Sequence, residues 1–385
     1  MSNECTGNCL ECGKCNNFQI LETFHNNGYK LEPRKGYAVA ADIGTTTIVL
    51  ALIDLESGKL IARHSFLNPQ REYGPDVISR IHAANEGHLE QLRRLITESL
   101  ISGINTLCKS YNIEEIVISG NTTMIYLFLG FPCHSLGVFP FKPEFKLKND
   151  YNYPDIFTGL KINCSTPLSV RIIPWFTAFV GGDIIAGLLC TKLEGKNCFM
   201  LIDLGTNGEM ALYNNGSLIV TSTAAGPAFE SIVHRRASEV IGDLASLIRD
   251  KMIDETGLLE KETIFTQKQI RDFQLAKSAV RCGLDILLEE SGMNYNSLDA
   301  VYLAGGIGQF MNVNDAITIG LIPQELSSKT HAVGNSSLGG AIRYLLSPVG
   351  TMNDIQALLC NFKEINLAEN KYFNDMFMEN IFFKV

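Results

Sequence analysis

Four cysteines stand close together near the start of the chain, in the stretch CTGNCLECGKC. They are Cys5, Cys9, Cys12 and Cys15, with the spacing C-x3-C-x2-C-x2-C. Thiols at this density serve metal binding, disulfide formation or redox chemistry rather than a hydrophobic core. The remaining cysteines are scattered singly, which is typical of buried thiols in a reducing compartment. Paired disulfides are therefore disfavoured, and a metal or redox centre is predicted.

The spacing favours an iron–sulfur cluster. Four thiolates within eleven residues can wrap one 4Fe–4S cubane, as compact ferredoxin runs do. A structural zinc site is the alternative, but such sites usually use two separated C-x2-4-C knuckles. A 2Fe–2S cluster is also open. Because the run differs from that of ferredoxins, the sequence leaves open whether all four cysteines are ligands.

A strand–turn–strand pattern occurs twice in the chain, at residues 36–64 and again at 197–221. Each copy has an apolar strand, the tetrad D-[IL]-G-T, a second strand and a polar turn, ESGK or NNGS. The shared letters pair Asp42 with Asp203, Gly44 with Gly205, and Thr45 with Thr206. A repeat of this kind predicts two similar α/β halves.

The repeated turns are suited to phosphate. Tight Gly/Thr turns present backbone N–H groups and hydroxyls to phosphate oxygens. A carboxylate at the end of the preceding strand can hold Mg²⁺, usually through water, and Asp42 and Asp203 are predicted to do so. Two ordinary hairpins sharing a few letters are the alternative, but the matched context favours phosphate. The predicted nucleotide ligands in these turns are Gly44, Thr45, Thr46, Thr47, Gly205, Thr206, Asn207, Gly208 and Glu209.

A third glycine turn ends the stretch DAVYLAGGIG, at Gly305, Gly306 and Gly308. It follows a strongly amphipathic helical pattern, FQLAKSAVRCGLDILLEESG. Glycines there would let the backbone lie against a nucleoside. Taken alone, the turn is better interpreted as a plain strand-to-helix connection.

These pieces in this order resemble the actin, sugar kinase and Hsp70 ATPase superfamily. DIGTTT and DLGTNGE resemble its two phosphate motifs, LAGGIG its adenosine motif, and SGNTTM and VGNSSLGGA its two connecting segments. More narrowly, the chain is similar to the reductive activators of corrinoid proteins. That resemblance runs from about residue 37 onward and is carried by the phrases LNPQREYGPDVISRI, GNTTMIYLFLG, FVGGDIIAG, STAAGPAFE and QLAKSAVRCG.

The resemblance implies a fold and an activity. The expected fold is α/β, with two RNase-H-like halves, a nucleotide cleft between them and a short Cys-rich segment in front. The expected activity is ATP-dependent, one-electron reduction of Co(II) to Co(I) in a corrinoid methyl-carrier protein. The expected cofactors are ATP, Mg²⁺ and a 4Fe–4S cluster. A low-potential donor such as a ferredoxin or flavodoxin is the expected electron source, and a homodimer is the expected assembly.

The resemblance also sets expected domain bounds. Well-known members carry a full ferredoxin-like domain first, whereas here only about 35 residues precede the first half. The electron centre is therefore expected within CTGNCLECGKC, followed by a polar tether. The expected divisions are 1–35 for this segment, 36–180 and 181–333 for the two halves, and 334–385 packing back on the first half.

Three further positions are candidates. Asp183 precedes the second turn as a catalytic Asp does in sugar kinases, and it could orient or deprotonate water; a helix N-cap is the alternative. Asn121, with Thr122 beside it, could reach the γ-phosphate or simply cap a helix. Glu209 could face phosphate or Mg²⁺, or be a solvated strand residue. HRRASE, at residues 234–239, departs from the corrinoid-activator pattern.

Composition limits the function classes. Hydrophobic residues are 46% and charged residues 19%, as in a globular protein with a large core. A formal net charge of −9 disfavours nucleic acid and anionic membrane as partners. The start of the chain is polar, without an apolar signal sequence, so a cytoplasmic protein is expected. A small-molecule kinase with a zinc knob and a non-enzymatic redox or iron sensor are the alternative functions.

Overall fold

The computed structural model describes residues 31–108, 111–148, 150–159, 161–162, 169–191, 195–223, 237–259, 263–308 and 311–383. The four clustered cysteines, the HRR part of HRRASE and the AAGPAFE part of STAAGPAFE lie outside these residues. The described chain separates into two units. Unit 1 comprises residues up to 194 together with 336–359, and unit 2 comprises 195–335 together with 360–385.

Each unit contains one six-stranded sheet. The strands are β1 (Tyr37–Ile43), β2 (Thr47–Asp54), β3 (Leu60–Leu67), β4 (Ile113–Gly120), β5 (Tyr151–Asn152), β6 (Ser169–Ile172), β7 (Cys198–Leu204), β8 (Gly208–Asn214), β9 (Ser217–Thr223), β10 (Ala300–Ala304), β11 (Thr330–Gly334) and β12 (Phe362–Glu364). The order is β3-β2-β1-β4-β6-β5 in unit 1 and β11-β10-β7-β8-β9-β12 in unit 2.

The two sheets repeat one topology. β1, β2 and β3 form an antiparallel meander, and β4 then runs parallel to β1. β7, β8 and β9 do the same, and β10 runs parallel to β7. This confirms the predicted pair of similar α/β halves. The central strands are nearly continuous apolar runs because both of their faces are covered.

Thirteen helices accompany these strands in the described residues. They are α1 (Val77–Ala83), α2 (Leu89–Leu107), α3 (Thr122–Leu129), α4 (His134–Gly137), α5 (Tyr153–Ile156), α6 (Gly182–Thr191), α7 (Ala237–Arg249), α8 (Gln267–Glu290), α9 (Gly305–Gly308), α10 (Val313–Thr318), α11 (Ser336–Leu346), α12 (Pro348–Cys360) and α13 (Phe373–Ile381). In this part of the chain, no helix is both long enough and apolar enough to cross a membrane.

Local sequence signals explain several boundaries. Thr266 and Gln269 form a reciprocal capping box that opens α8, the helix predicted from its amphipathic pattern. The NNGS turn between β8 and β9 places Asn215 at φ 48° and Gly216 at φ 94°, as a two-residue hairpin requires. Cys108, at the end of α2, is buried as predicted.

The unit boundaries differ from the expected domain bounds at two points. Residues 181–194, including Asp183, cluster with unit 1, whereas the boundary was expected near residue 180. Residues 360–385, expected to pack on the first half, belong to unit 2. The physical reason is that β12 adds a parallel strand beside β9, and α13 packs on α8, where the Ser278 hydroxyl donates to the Phe377 carbonyl.

The expected tether also ends earlier than residue 35. The Glu32 backbone N–H donates to the Leu346 carbonyl at 2.9 Å, and the Ser347 hydroxyl donates to Glu32 Oε1 at 3.1 Å. Arg34 forms an ion pair with the buried carboxylate of Glu115, at 2.8 Å, and donates to the Leu345 carbonyl. Residues from Glu32 onward are therefore part of unit 1.

Candidate nucleotide-binding site

The first predicted phosphate turn joins β1 to β2. The Gly44 N–H donates to the Thr47 carbonyl at 3.1 Å and closes the turn. Asn68 stabilises this turn with two hydrogen bonds. Its Nδ2 donates to the Gly44 carbonyl and its backbone N–H donates to the Thr46 carbonyl, both at 2.9 Å. A Cβ on Gly44 would lie 2.5 Å from the Thr47 carbonyl oxygen, so only glycine fits without a shift.

Asn121 connects this turn to helix α3. Its Oδ1 accepts from the Met124 N–H at 2.9 Å and caps the helix. Its Nδ2 donates to the Thr45 hydroxyl at 3.0 Å. The predicted capping role of Asn121 is therefore observed, and the same amide fixes the turn through Thr45. Thr122 is buried and donates to the Thr177 carbonyl at 2.6 Å, which places its hydroxyl in packing.

Asp42 lies at the carboxyl end of β1, beside Ser119 of the parallel strand β4. Its Oδ1 accepts a hydrogen bond of 2.7 Å from the Ser337 hydroxyl, and Ser337 lies 2.9 Å from the Ser119 hydroxyl. Ser119 also lies 3.2 Å from the Gly182 carbonyl. Sequence reasoning missed both serines, although each lies in a connecting segment that it had singled out.

Asp183 lies in the first turn of α6 rather than at its N-cap, and its Oδ1 accepts from the Ile184 N–H at 2.9 Å. The residue is partly exposed, but its carboxyl is removed from water, and this burial is the largest cause of a pKa raised to about 7. The negative charge of Asp42 contributes to the same rise, and nearby backbone N–H groups oppose it. A carboxyl poised near neutral pH suits a general base.

The second predicted turn joins β7 to β8 in unit 2. The Gly205 N–H donates to the Asn207 carbonyl at 3.0 Å, and Thr206 lies between them. Asp203 pairs directly across the strands with Glu209, so both carboxylates lie on one face of the sheet. Glu209 is buried, which rules out the solvated-strand alternative. Gly208 opens β8 opposite Leu204.

The third glycine turn adjoins the second in the same unit. Ala304 pairs with Asp203 in the parallel ladder of β10 and β7, so Gly305 follows directly beside this carboxylate. Gly305 has φ +82°, and a Cβ there would lie 2.4 Å from Asp203 Oδ1. At Gly306 a Cβ would meet nothing within 4 Å, while Gly308 packs tightly on Leu303.

The chemistry of these groups fits a magnesium nucleotide. Each unit places a carboxylate, threonine hydroxyls and a glycine turn at the carboxyl end of parallel strands. Hard oxygen ligands of this kind suit Mg²⁺. Within the described residues, no cluster of three or more His, Cys, Asp or Glu side chains could hold a metal ion by itself. The predicted cysteine ligands lie outside this region.

The topology of the two units defines an ATPase-type fold of the actin, sugar kinase and Hsp70 class, which confirms the predicted fold class. A family model described as the RACo middle region matches residues 37–196. A second, described as the C-terminal domain of RACo, the ASKHA domain, matches residues 197–239 and 243–385. The chain therefore belongs to the RACo family, the reductive activators of corrinoid proteins.

Individual relatives agree with this assignment. The chain is 31% identical to the corrinoid activation enzyme RamQ of Eubacterium limosum, over 90% of this chain and 70% of the relative. It is 23% identical to a Co(II) methylated amine-specific corrinoid protein reductase of Methanosarcina barkeri, over 89% and 76%. A solved reductive activator for a corrinoid, iron–sulfur protein superposes with a TM-score of 0.81 at 30% identity. That match covers 91% of this chain and 66% of the solved chain.

Proposed function

We propose that this protein reactivates a corrinoid protein by reducing its cobalt from Co(II) to Co(I), one electron at a time, in a reaction coupled to ATP. The proposal is carried by the two matched D-[IL]-G-T turns, in a chain that belongs to the RACo family. The names of its relatives supply the direction, since one is a corrinoid activation enzyme and another a reductase acting on a Co(II) corrinoid protein.

ATP is the proposed energy source because the electron must move uphill. Each ~59 mV of unfavourable potential in a one-electron step costs a factor of ten, or about 1.4 kcal/mol. Binding or hydrolysis of a nucleotide can shift the populations of two conformations by several such factors. Magnesium-bound ATP supplies phosphoryl chemistry and that driving force when it is bound.

The residues of this chain then take separate roles. Asp42 and Asp203 are each proposed to bind Mg²⁺ through water. The turn backbones at Gly44 and Gly205, with the hydroxyls of Thr45 and Thr206, contact phosphate. Gly305, Gly306 and Gly308 lie against the nucleoside. Asp183 holds a proton or accepts one from water, which its raised pKa favours.

The electron is proposed to pass through an iron–sulfur cluster bound by Cys5, Cys9, Cys12 and Cys15. A 4Fe–4S cluster suits four closely spaced thiolates, and Cys₄ sets reach the low potentials that such a step requires. The proposed donor is a reduced ferredoxin or flavodoxin, and the proposed acceptor is the corrinoid protein. We further propose a homodimer.

The decisive experiment uses protein purified without oxygen, with iron, sulfide and zinc measured. It then follows reduction of a Co(II) corrinoid protein by absorbance, with and without ATP. A brown protein that dithionite bleaches, and that reduces cobalt only with ATP, is expected. A colourless protein with stoichiometric zinc would exclude the reductase and leave a kinase as the better reading. ATP hydrolysis without cobalt reduction would favour a sensor.

The route of the electron is tested by separate variants of the N-terminal cysteines. Cys9→Ala, Cys12→Ala and Cys15→Ala should each lose iron, while Cys108→Ala, which alters a buried core thiol, should keep it. Deletion of residues 1–30 should leave a body that binds ATP and has no cobalt reduction. The deletion stops there because Glu32 and Arg34 pack on unit 1. Cobalt reduction by that truncated protein would contradict the route.

A further inference from the structure

We infer that Ser337 is a positioning residue that fixes Asp42, and that helix α11, in whose first turn it lies, joins Asp42 to the root of the N-terminal arm. The root is defined as Glu32 and Arg34. This inference deepens the proposed function, on which it rests. It concerns contacts within unit 1 only.

Ser337 has the geometry to hold one face of the Asp42 carboxylate. Its hydroxyl donates to Asp42 Oδ1 at 2.7 Å, a short, charge-assisted hydrogen bond. Since a hydroxyl has one proton, Ser337 can then only accept from Ser119, whose hydroxyl lies 2.9 Å away and can donate its own proton either to Ser337 or to the Gly182 carbonyl. Both serines are buried, so water does not compete for these bonds. One oxygen of Asp42 is thereby oriented.

Ser337 also stands at a special place in the chain. The boundary between unit 2 and unit 1 falls between Asn335 and Ser336, so Ser337 is the second residue after the chain returns to unit 1. The helix before the other crossover, α6, begins at Gly182, whose carbonyl oxygen lies 3.2 Å from the Ser119 hydroxyl. The two hydroxyls thus connect Asp42 to both helices that adjoin the crossovers.

Helix α11 is tightly packed along its whole length. All eleven of its residues, Ser336–Leu346, are buried. A Cβ on Gly340 would lie 2.1 Å from the Ala186 carbonyl oxygen, so α11 and α6 meet backbone to backbone. Arg343 donates to the Leu189 carbonyl and to Asp354 of α12. A helix held this closely transmits a displacement along its length instead of bending.

The far end of α11 carries the root of the arm. The Leu346 carbonyl accepts from the Glu32 N–H, and the Leu345 carbonyl accepts from Arg34. At 1.5 Å per residue, Ser337 and Leu346 are only about 14 Å apart along the helix. The carboxylate proposed for Mg²⁺ and the attachment of the cysteine-bearing arm therefore lie at the two ends of one short helix.

The test compares Ser337→Ala with the wild-type protein by titrating Mg·ATP and by hydrogen exchange of residues 31–36. Losing a hydrogen bond to a charged group should weaken Mg·ATP binding about tenfold. In the wild type, Mg·ATP should change the exchange of the Glu32 amide, which donates to Leu346, and Ser337→Ala should abolish that change. Neither measurement depends on cobalt reduction.

A matched control and a rescue variant separate positioning from packing. Like Ser337→Ala, Ser278→Ala removes a buried, hydrogen-bonded serine hydroxyl. Ser278 lies in unit 2 and donates to a backbone carbonyl, so its loss should leave both measurements unchanged. Ser337→Thr keeps the hydroxyl and should bind Mg·ATP close to wild type. Should Ser337→Ala fail to fold, Ser119→Ala replaces it, with roughly threefold weaker binding expected from loss of one supporting neutral bond.

Each outcome has a defined meaning. Unchanged Mg·ATP affinity in Ser337→Ala, or in Ser119→Ala where that variant replaces it, overturns the positioning role. An unaltered exchange response at residues 31–36 in the same variant overturns the link along α11. A wild-type protein that does not bind Mg·ATP at all refutes the proposed function itself, and this is seen before any variant is measured.

Discussion

The two D-[IL]-G-T turns have the same strand–turn–strand topology, but different contacts hold them in place. In unit 1, Gly44 has no room for a side chain, and Asn68 and Asn121 fix the turn from two sides. In unit 2, a Cβ on Gly205 would meet only the Asn207 carbonyl oxygen, at 4.0 Å. Duplicated sequence thus gives a tightly packed turn in one unit and a more open one in the other.

The carboxylates beside the turns differ as well. Across the strands, Asp42 faces Val49, whereas Asp203 faces the buried Glu209. In unit 1 the second carboxylate comes instead from Asp183 in α6, and the negative charge of Asp42 raises its pKa. Each unit therefore has two carboxylates near its turn, supplied by different elements. The repeated motif therefore determines the backbone conformation of each turn, and residues outside the repeat determine which carboxylates lie beside it.

The largest expected effects come from the residues that the two turns share. Asp42→Ala and Asp203→Ala should each lower ATP turnover at least about a hundredfold, because each removes a carboxylate proposed for Mg²⁺. Iron content should be unchanged, since the four clustered cysteines are untouched. Turnover is measured by phosphate release. Wild-type turnover in either variant would mean that only one unit serves the nucleotide.

The packing difference between the turns is tested next. Gly44→Ala should destabilise the ligand-free protein by about 1–3 kcal/mol, since the new Cβ would collide with a backbone carbonyl. Gly205→Ala should change the free energy of unfolding by less than about 0.5 kcal/mol. Urea denaturation of both variants measures this. Equal losses would show that the two turns are supported alike.

Glu209 sharpens the electrostatic side of the comparison. Glu209→Gln keeps the size of the side chain and removes its charge, so the Mg²⁺ concentration for half-maximal ATP turnover should rise roughly three- to tenfold. Maximal turnover should change less. The affinity for Mg²⁺ is obtained from turnover at varied magnesium and saturating ATP. A lowered magnesium requirement would show that Glu209 opposes, instead of assists, cation binding.

The last prediction concerns Asp183 and pH. Its pKa is raised from 3.8 to about 7 in the folded protein, so the folded state holds a proton that the unfolded state has lost between these values. Stability of the wild type should therefore fall as the pH rises from about 4 to about 7. Asp183→Asn should remove that part of the decline. Unfolding midpoints of ligand-free protein at several pH values test the difference, and parallel curves would contradict it.

Much of this fold follows from local sequence. Strand–turn–strand repeats predict the two meanders, because apolar runs broken by Gly-containing turns have few other solutions. The glycines of both turns and of LAGGIG lie where the motifs predict, at the ends of β1, β7 and β10. Asn121 was predicted as either a cap or a contact to the phosphate side, and it caps α3 while it binds Thr45.

The remaining features depend on long-range contacts. Ser337 donates a hydrogen bond to Asp42, which is 295 positions away in the sequence, and no local sequence pattern indicates this contact. β12 has only three residues, too few for an alternating pattern, so nothing in its sequence indicates that it extends the sheet of unit 2. From the sequence alone, Arg34 is interpreted as a polar linker residue. In the structure it forms an ion pair with the buried Glu115.

The anchoring of Glu32 sets the concentration at which the proposed cluster meets its partner. Seventeen peptide steps separate Cys15 from Glu32, so the cluster can lie at most roughly 60 Å from the end of α11. A group confined to a sphere of that radius has an average concentration on the order of millimolar. Any acceptor that docks within this radius meets the cluster at that concentration without binding the arm itself. On the proposed route, an acceptor that docks farther away would receive no electron from this cluster.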